Sequence, residues 1–276
     1  MTNWRLAFLG TAASAVSKAR NPTGMLLTVD GKHMLIECGE GTTRRLIEQD
    51  TDIRDIVAVY ISHGHNDHFS GIVTFLWENV LVARRTAPLR IIAPGYVIDG
   101  IKRMIDLAGT PAGFFEFELV FEPVDEQQIG RPLEIPGFPA SSRVIRSHAR
   151  AVHDPPARAI RIDVSNVLGA GVLSACYSSD TSPSSDVANL AKGCDYLIHE
   201  ATVLDEDEAH ATRVNHSTPS GAGRMATIAG AAHLVIVHYS VFLEGKEPAI
   251  AAQARKTFTG NVIVAKDGML LPLEKE

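Results

Sequence analysis

The chain has 276 residues, 45% of them hydrophobic, and no linker-like stretch, so one globular domain over residues 1–276 is expected. A net charge of −6 and a pI near 6.0 argue against broad non-specific nucleic-acid binding and favour a small-molecule substrate. Cys38, Cys176 and Cys194 are widely spaced in apolar surroundings and read as reduced core thiols, and no apolar run reaches signal-peptide or membrane-spanning length. A cytoplasmic protein with no membrane partner and a homodimeric assembly is the expectation.

Leu6 to Leu9 reads as a first strand, and Gly10-Thr11 turns it into a small-residue loop that ends at Pro22. Met25 to Val29 and Met34 to Glu37 read as strands separated by Asp30-Gly31-Lys32. Cys38-Gly39-Glu40-Gly41-Thr42-Thr43 lacks the Lys-Ser/Thr of a phosphate-cradling loop and reads as a packing turn, with Thr42 or Thr43 capping a helix over Arg44 to Gln49.

Ile56 to Ile61 is short, β-branched and uncharged, which describes a buried strand. It runs directly into Ser62-His63-Gly64-His65-Asn66-Asp67-His68. Three histidines and an aspartate in six positions would repel if charged and need partners if buried, so this string reads as metal-site chemistry. An apolar helical pattern follows from Ile72 to Leu81, then a strand over Leu89 to Ala93, a helix over Val97 to Leu107 and a strand region over Phe114 to Val124.

In the second half, His148 and His153 precede a strand over Ala159 to Val164, and a further strand, Val172 to Tyr177, delivers Asp180 at its end. A helix over Ser185 to Ala191 leads to Tyr196-Leu197-Ile198, which ends in His199-Glu200. His216-Ser217-Thr218-Pro219 opens a helix through Ala229, and Leu234 to Val237 ends in His238. Four apolar strands, ending at Ile61, Tyr177, Ile198 and Val237, thus each release a ligand or acid/base residue at the C-terminal end, which implies one convergent site on an α/β scaffold. His33, His210 and His233 read as structural. Asp205-Glu206-Asp207-Glu208 reads as a solvated acidic patch, and Arg84, Arg85, Arg143, Arg146 and Arg150 as surface arginines.

Taken together, Phe8-Leu9-Gly10-Thr11, Ser17 to Asn21, Cys38 to Thr42, Ser62 to His68, His153 with Arg161-Ile162, Ser179-Asp180-Thr181, His199-Glu200-Ala201-Thr202, His216-Ser217-Thr218 and His238-Tyr239-Ser240 form an ordered set. With them the chain resembles the metallo-β-lactamase-fold hydrolases, in their ribonuclease Z-like branch. The resemblance implies a four-layer αββα sandwich with two divalent metal ions, zinc by the nitrogen and carboxylate donor set, with Mn2+ or Fe as alternatives. It implies that His63, His65 and His153 hold one ion, that Asp67, His68 and His238 hold the other, and that Asp180 bridges them. His153 is preferred to His148 because the segment from it to Arg161-Ile162 fits the family's spacing without a gap; His148 is then a residue that backs the ligands or lies at the surface.

The expected chemistry is hydrolysis by a metal-bridging hydroxide, with His216 donating a proton to the leaving oxygen, Glu200 orienting it, and Asp67 in both the ligand and the catalytic set. Only Asp163 to Ser179 separates Ile162 from Asp180, too short for the basic tRNA-gripping arm of the bacterial ribonucleases Z. The expectation is therefore a phosphodiesterase on a small or single-stranded phosphodiester. Ester, lactone, β-lactam or aryl-sulfate hydrolysis is the alternative; tRNA 3′ processing ranks behind both, and the expectation runs against tRNA as a partner.

Overall fold

The computed structural model describes residues 4–166 and 171–274. In chain order the first half carries β1 (Trp4–Gly10), β2 (Ala12–Ala13), β3 (Gly24–Val29), β4 (Lys32–Ile36), α1 (Thr42–Glu48), β5 (Ile56–Tyr60), α2 (Asn66–Phe69), α3 (Ile72–Leu81), β6 (Leu89–Ala93), α4 (Gly95–Leu107) and β7 (Leu119–Pro123). The second half carries β8 (Leu133–Glu134), β9 (Ser142–Arg150), β10 (Arg158–Asn166), β11 (Val172–Tyr177), α5 (Ser185–Leu190), β12 (Tyr196–Glu200), α6 (Glu208–Arg213), α7 (Pro219–Ala229), β13 (His233–Val237), β14 (Tyr239–Ser240), α8 (Glu247–Ala254), β15 (Asn261–Val264) and β16 (Leu270–Pro272).

One seven-stranded sheet has the order β16-β1-β3-β4-β5-β6-β7 and the other β15-β13-β12-β11-β10-β9-β8. In each, one part is an antiparallel meander and the other a parallel set, β4 to β7 and β11-β12-β13-β15. The sheets face each other across a core that joins Phe8, Leu27, Met34 and Tyr60 of the first to Ile160, Ile162, Tyr177, Ile198 and Val235 of the second. Alternate residues of the same strands, such as Val59 and Leu35, pack outward with Leu46, Phe75, Leu76 and Ile101 of the helices. On the far side Leu197, Leu234 and Ile236 pack with Ala222, Ala226 and Ile250. Helix, sheet, sheet, helix is the four-layer αββα order. Strands covered on both faces have no polar alternation, which is why they read as continuous apolar runs.

The remaining differences from expectation are local. Phe114 to Glu118 is not strand; Phe114, Phe115 and Phe117 pack edge to face in series and Phe114 lies tilted against Trp77, so ring packing takes the place of the ladder there. The first helix begins at Thr42 with Gly41 in the cap position at φ 79°, and neither threonine caps it. Arg85 and Arg146 are buried rather than on the surface: Arg85 donates to the carbonyls of Ile53, Ile56, Ala87 and Pro88, and Arg146 pairs with Glu122 at 2.6 Å. No helix among the described residues is long and apolar enough to cross a membrane.

Candidate metal centre

β5 ends at Tyr60, and the chain turns through His63 and His65 into the single-turn α2, which carries Asp67 and His68. The Gly39 position lies against this turn so closely that a Cβ there would stand 2.3 Å from the Asp67 carbonyl oxygen, and a Cβ at Gly71 would stand 2.3 Å from that of Gly39. The glycine-rich segment is therefore the packing turn expected of it, laid against the ligand loop. His153 comes from the loop between β9 and β10, Asp180 follows β11, Glu200 ends β12, His216 precedes α7 and His238 follows β13.

All of these converge. Donor atoms of His63, His65, His153 and Asp180 lie within 4.8 Å of one another, as do those of Asp67, His68 and His238, and those of Asp180, His216 and His238. The Asp180 Oδ2 atom stands 3.7 Å from His63 Nε2, 3.4 Å from His68 Nε2, 3.3 Å from His238 Nε2 and 3.9 Å from His153 Nε2, the central position. His63, His68, Asp67, Asp180 and His238 are buried.

The outer nitrogens of His63, His153 and His238 have hydrogen-bond partners, while His68 Nδ1 has a carboxylate nearby but no hydrogen bond among the described residues. His153 Nδ1 donates to the Asn215 carbonyl at 3.1 Å, which leaves Nε2 without a proton. Ser62 Oγ stands 2.9 Å from His63 Nδ1, and the Glu37 carboxylate 3.3 Å from His68 Nδ1. Thr202 Oγ1 donates to Glu200 Oε2 at 2.8 Å, so at His238 Nδ1, 3.1 Å away, it can only accept. The inner nitrogens then meet in close pairs, His153 Nε2 with His65 Nδ1 at 3.1 Å and His68 Nε2 with His238 Nε2 at 3.3 Å. Each pair is satisfied by a shared proton or by a cation between the rings. His63 Nε2 and Asp180 Oδ1 are buried without a hydrogen-bond partner among the described residues, and this donor set fits divalent metal ions.

The electrostatics agree in part. Burial pushes His63, His65 and His153 below the usual histidine range, into the neutral form that a ligand needs. Against the effect of burial, His238, His68 and His63 hold Asp180 well below the carboxylate range, and His68 and His238 do the same for Asp67. His68 departs from this pattern: Asp180, Asp67 and Glu37 outweigh its burial and raise it above the usual histidine range. His216 is raised to about 9; burial opposes this, and the Glu200 carboxylate, 2.8 Å from its Nδ1, prevails.

Of the histidines read as structural, His33 bonds Thr28, His233 stacks on Tyr196 and His210 contacts Arg213. His148 is not at the surface: it is fully buried, stacked on Tyr60, with Nε2 3.0 Å from Arg146. Ser62 and Thr202, quoted within the motif segments but given no role, and Glu37 and Tyr96, not singled out, all contact the site. The available signal for Glu37 was weak, a carboxylate closing an apolar strand. A cavity of about 600 Å3 beside β9, β10 and α5 shares no residue with the cluster, and Arg161 in its wall is already paired with Asp163, so chemistry belongs with the cluster.

Two facing sheets with this His/Asp cluster at the ends of strands from both define a metallo-β-lactamase-fold, metal-dependent hydrolase of the ribonuclease Z-like branch. The chain belongs to the family described as Anti-Pycsar protein Apyc1, whose profile matches residues 4–216. The ribonuclease Z of Myxococcus xanthus is 28% identical, over 99% of each chain. The solved short form of human tRNase Z (ELAC1) has a TM-score of 0.75 at 25% identity, over 98% of this chain and 100% of that one. The metallo-β-lactamase-fold protein YhfI of Bacillus subtilis has a TM-score of 0.78 at 20% identity, over 98% of this chain and 99% of the other.

These likenesses overturn the expectation that tRNA is not a partner. β10 and β11 pair directly, with Ser165 opposite Val172, and the six residues between these positions in the sequence are too few for such an arm. But relatives named ribonuclease Z match this chain from end to end. Affinity for a polyanion is a sum over many phosphate contacts, so the absence of one protrusion does not decide it.

Proposed function

We propose that this hydrolase is a phosphodiesterase, with two divalent ions held by His63, His65 and His153 on one side, Asp67, His68 and His238 on the other, and Asp180 between. The observation that carries the reading is the third cluster, in which His216 joins Asp180 and His238 within 4.8 Å. Ions bound in such a pair act as Lewis acids on the phosphoryl oxygens and lower the pKa of water, chemistry for which zinc suits this donor set.

The chain's own residues supply the proton handling. Glu200 is buried and fixed by the amides of Thr181 at 2.8 Å and Thr202 at 3.1 Å. It holds His216 by Nδ1, which keeps the ring in its charged form and leaves Nε2 free to protonate the leaving oxygen. Asp67 is oriented by the Ser14 amide at 2.7 Å, so the loop after β2 forms part of the rim of the site. Relatives named ribonuclease Z support a phosphodiester in RNA as the bond cleaved, and a tRNA precursor belongs among the substrates tested.

The test is parallel turnover by metal-loaded protein of bis(p-nitrophenyl) phosphate, a tRNA precursor with a 3′ trailer, a nitrophenyl ester, a lactone and nitrocefin. Hydrolysis of one or both phosphodiesters is expected. Turnover of the lactone or ester with none of either phosphodiester would overturn the reading.

A further inference from the structure

Tyr96, the second residue of α4, is 42% exposed, and its hydroxyl touches both loops of the first metal position. It accepts from the Gly64 amide at 3.0 Å and donates to the Pro156 carbonyl at 3.1 Å, a use of one proton and one lone pair that a phenol can make simultaneously. Gly64 lies between His63 and His65, and Pro156 lies three residues beyond His153. One side chain of the first half thus joins the two loops that bring His65 Nδ1 and His153 Nε2 to 3.1 Å.

The loops are also joined at their buried base, where the Arg158 amide donates to the Ser62 carbonyl at 3.1 Å and the Tyr60 hydroxyl donates to that of Arg158 at 2.5 Å. Tyr96 closes the exposed edge. Its ring fits because position 64 has no side chain: a Cβ there would stand 2.9 Å from Cε2 and 3.7 Å from the hydroxyl oxygen. The other ligand set, Asp67, His68 and His238, is oriented instead by Ser14, Glu37 and Thr202.

We infer that Tyr96 is a positioning residue that sets the chain's affinity for the ion at His63, His65 and His153, separately from the ion at the second position. This rests on the ligand assignment above. Groups that orient metal ligands typically contribute roughly 10- to 100-fold in affinity.

The experiment is a stepwise Zn2+ titration of the full chain against a chromophoric chelator, for the unaltered protein, Tyr96→Phe, Gly64→Ala, the double variant and His153→Ala. Tyr96→Phe should weaken one of the two affinities by about 10- to 100-fold and leave the other unchanged. The melting temperature of the metal-free protein should not move, since the ring remains and is half exposed. Gly64→Ala should weaken the same ion by displacing the ring, and the double variant should add nothing further, because both changes break one contact. If His153→Ala loses an ion while Tyr96→Phe binds both as the unaltered protein does, or weakens both equally, the inference on Tyr96 is wrong and the ligand assignment stands. If His153→Ala binds both ions unchanged, the ligand assignment itself fails and the inference falls with it.

Discussion

Thr202→Val tests how the second metal position is built. Valine matches threonine in shape but lacks the hydroxyl, which stands 2.8 Å from Glu200 Oε2, 3.1 Å from His216 Nδ1 and 3.1 Å from His238 Nδ1. Glu200 and His216 keep other partners: the carboxylate retains the amides of Thr181 and Thr202, and His216 Nδ1 retains Glu200 Oε1 at 2.8 Å. His238 Nδ1 loses its acceptor. In the metal-free variant the ring is free to change tautomer, but with Nε2 on an ion its Nδ1–H is buried and unsatisfied, so the penalty of about 1–3 kcal/mol falls on the bound state. At about 1.4 kcal/mol per decade this is roughly 5- to 150-fold in the affinity of the ion at Asp67, His68 and His238. Chelator-competition titration reads it directly, and the ion at His63, His65 and His153 should bind as before. Unchanged affinity for both ions would sink the claim that Thr202 fixes the His238 tautomer.

Three further outcomes are expected. Asp180→Ala should abolish near-stoichiometric binding of both ions, since Asp180 Oδ2 lies 3.3–3.9 Å from histidine nitrogens of both sets; metal analysis that finds either ion retained in full shows that Asp180 is not shared. His216→Ala should keep both ions and lower kcat by about 10²–10⁴, the usual range for a lost general acid, and an unaltered kcat at saturating metal removes it from the reaction. His148 bears on acid stability: burial and the neighbouring Arg146 lower it from 6.5 to about 3. The unfolded chain takes up this proton below pH 6.5 and the folded chain does not, so stability is full above that pH and is lost as pH falls toward 3, by up to about 5 kcal/mol. His148→Gln removes this dependence, so urea midpoints of the two proteins should converge or cross between pH 7 and pH 4; a gap independent of pH refutes it.

Local pattern alone encodes much of the scaffold. Leu89–Ala93, Val172–Tyr177 and Ile72–Leu81 stand where the apolar spacing places them, because a strand buried on both faces and a one-faced helix each write their period into consecutive residues. The ends of four such strands, Ile56–Tyr60, Val172–Tyr177, Tyr196–Glu200 and His233–Val237, pointed to His63, Asp180, Glu200 and His238, because polar residues collect where a covered strand leaves the sheet. The C-terminal segment was not legible: α8 and β15 complete the second half, and β16 closes the first sheet beside β1, a pairing decided by a strand more than two hundred positions away in the chain.

The rest of the site depends on contacts between segments far apart in the chain. His148 and His153 are both histidines near a strand end, yet β9 turns the first inward onto Tyr60 and Arg146 while the following loop brings the second within 3.1 Å of His65. Arg85 and Arg146 looked like surface charge and are buried among carbonyls and Glu122. Glu37, Thr202 and Tyr96 have no signature of their own, since a hydrogen-bond partner is defined by direction and distance and not by residue type. The sequence thus named most of the groups that can hold metal. Which nitrogen of each ring faces inward, and what holds it there, follows from pairs of residues that only folding brings together.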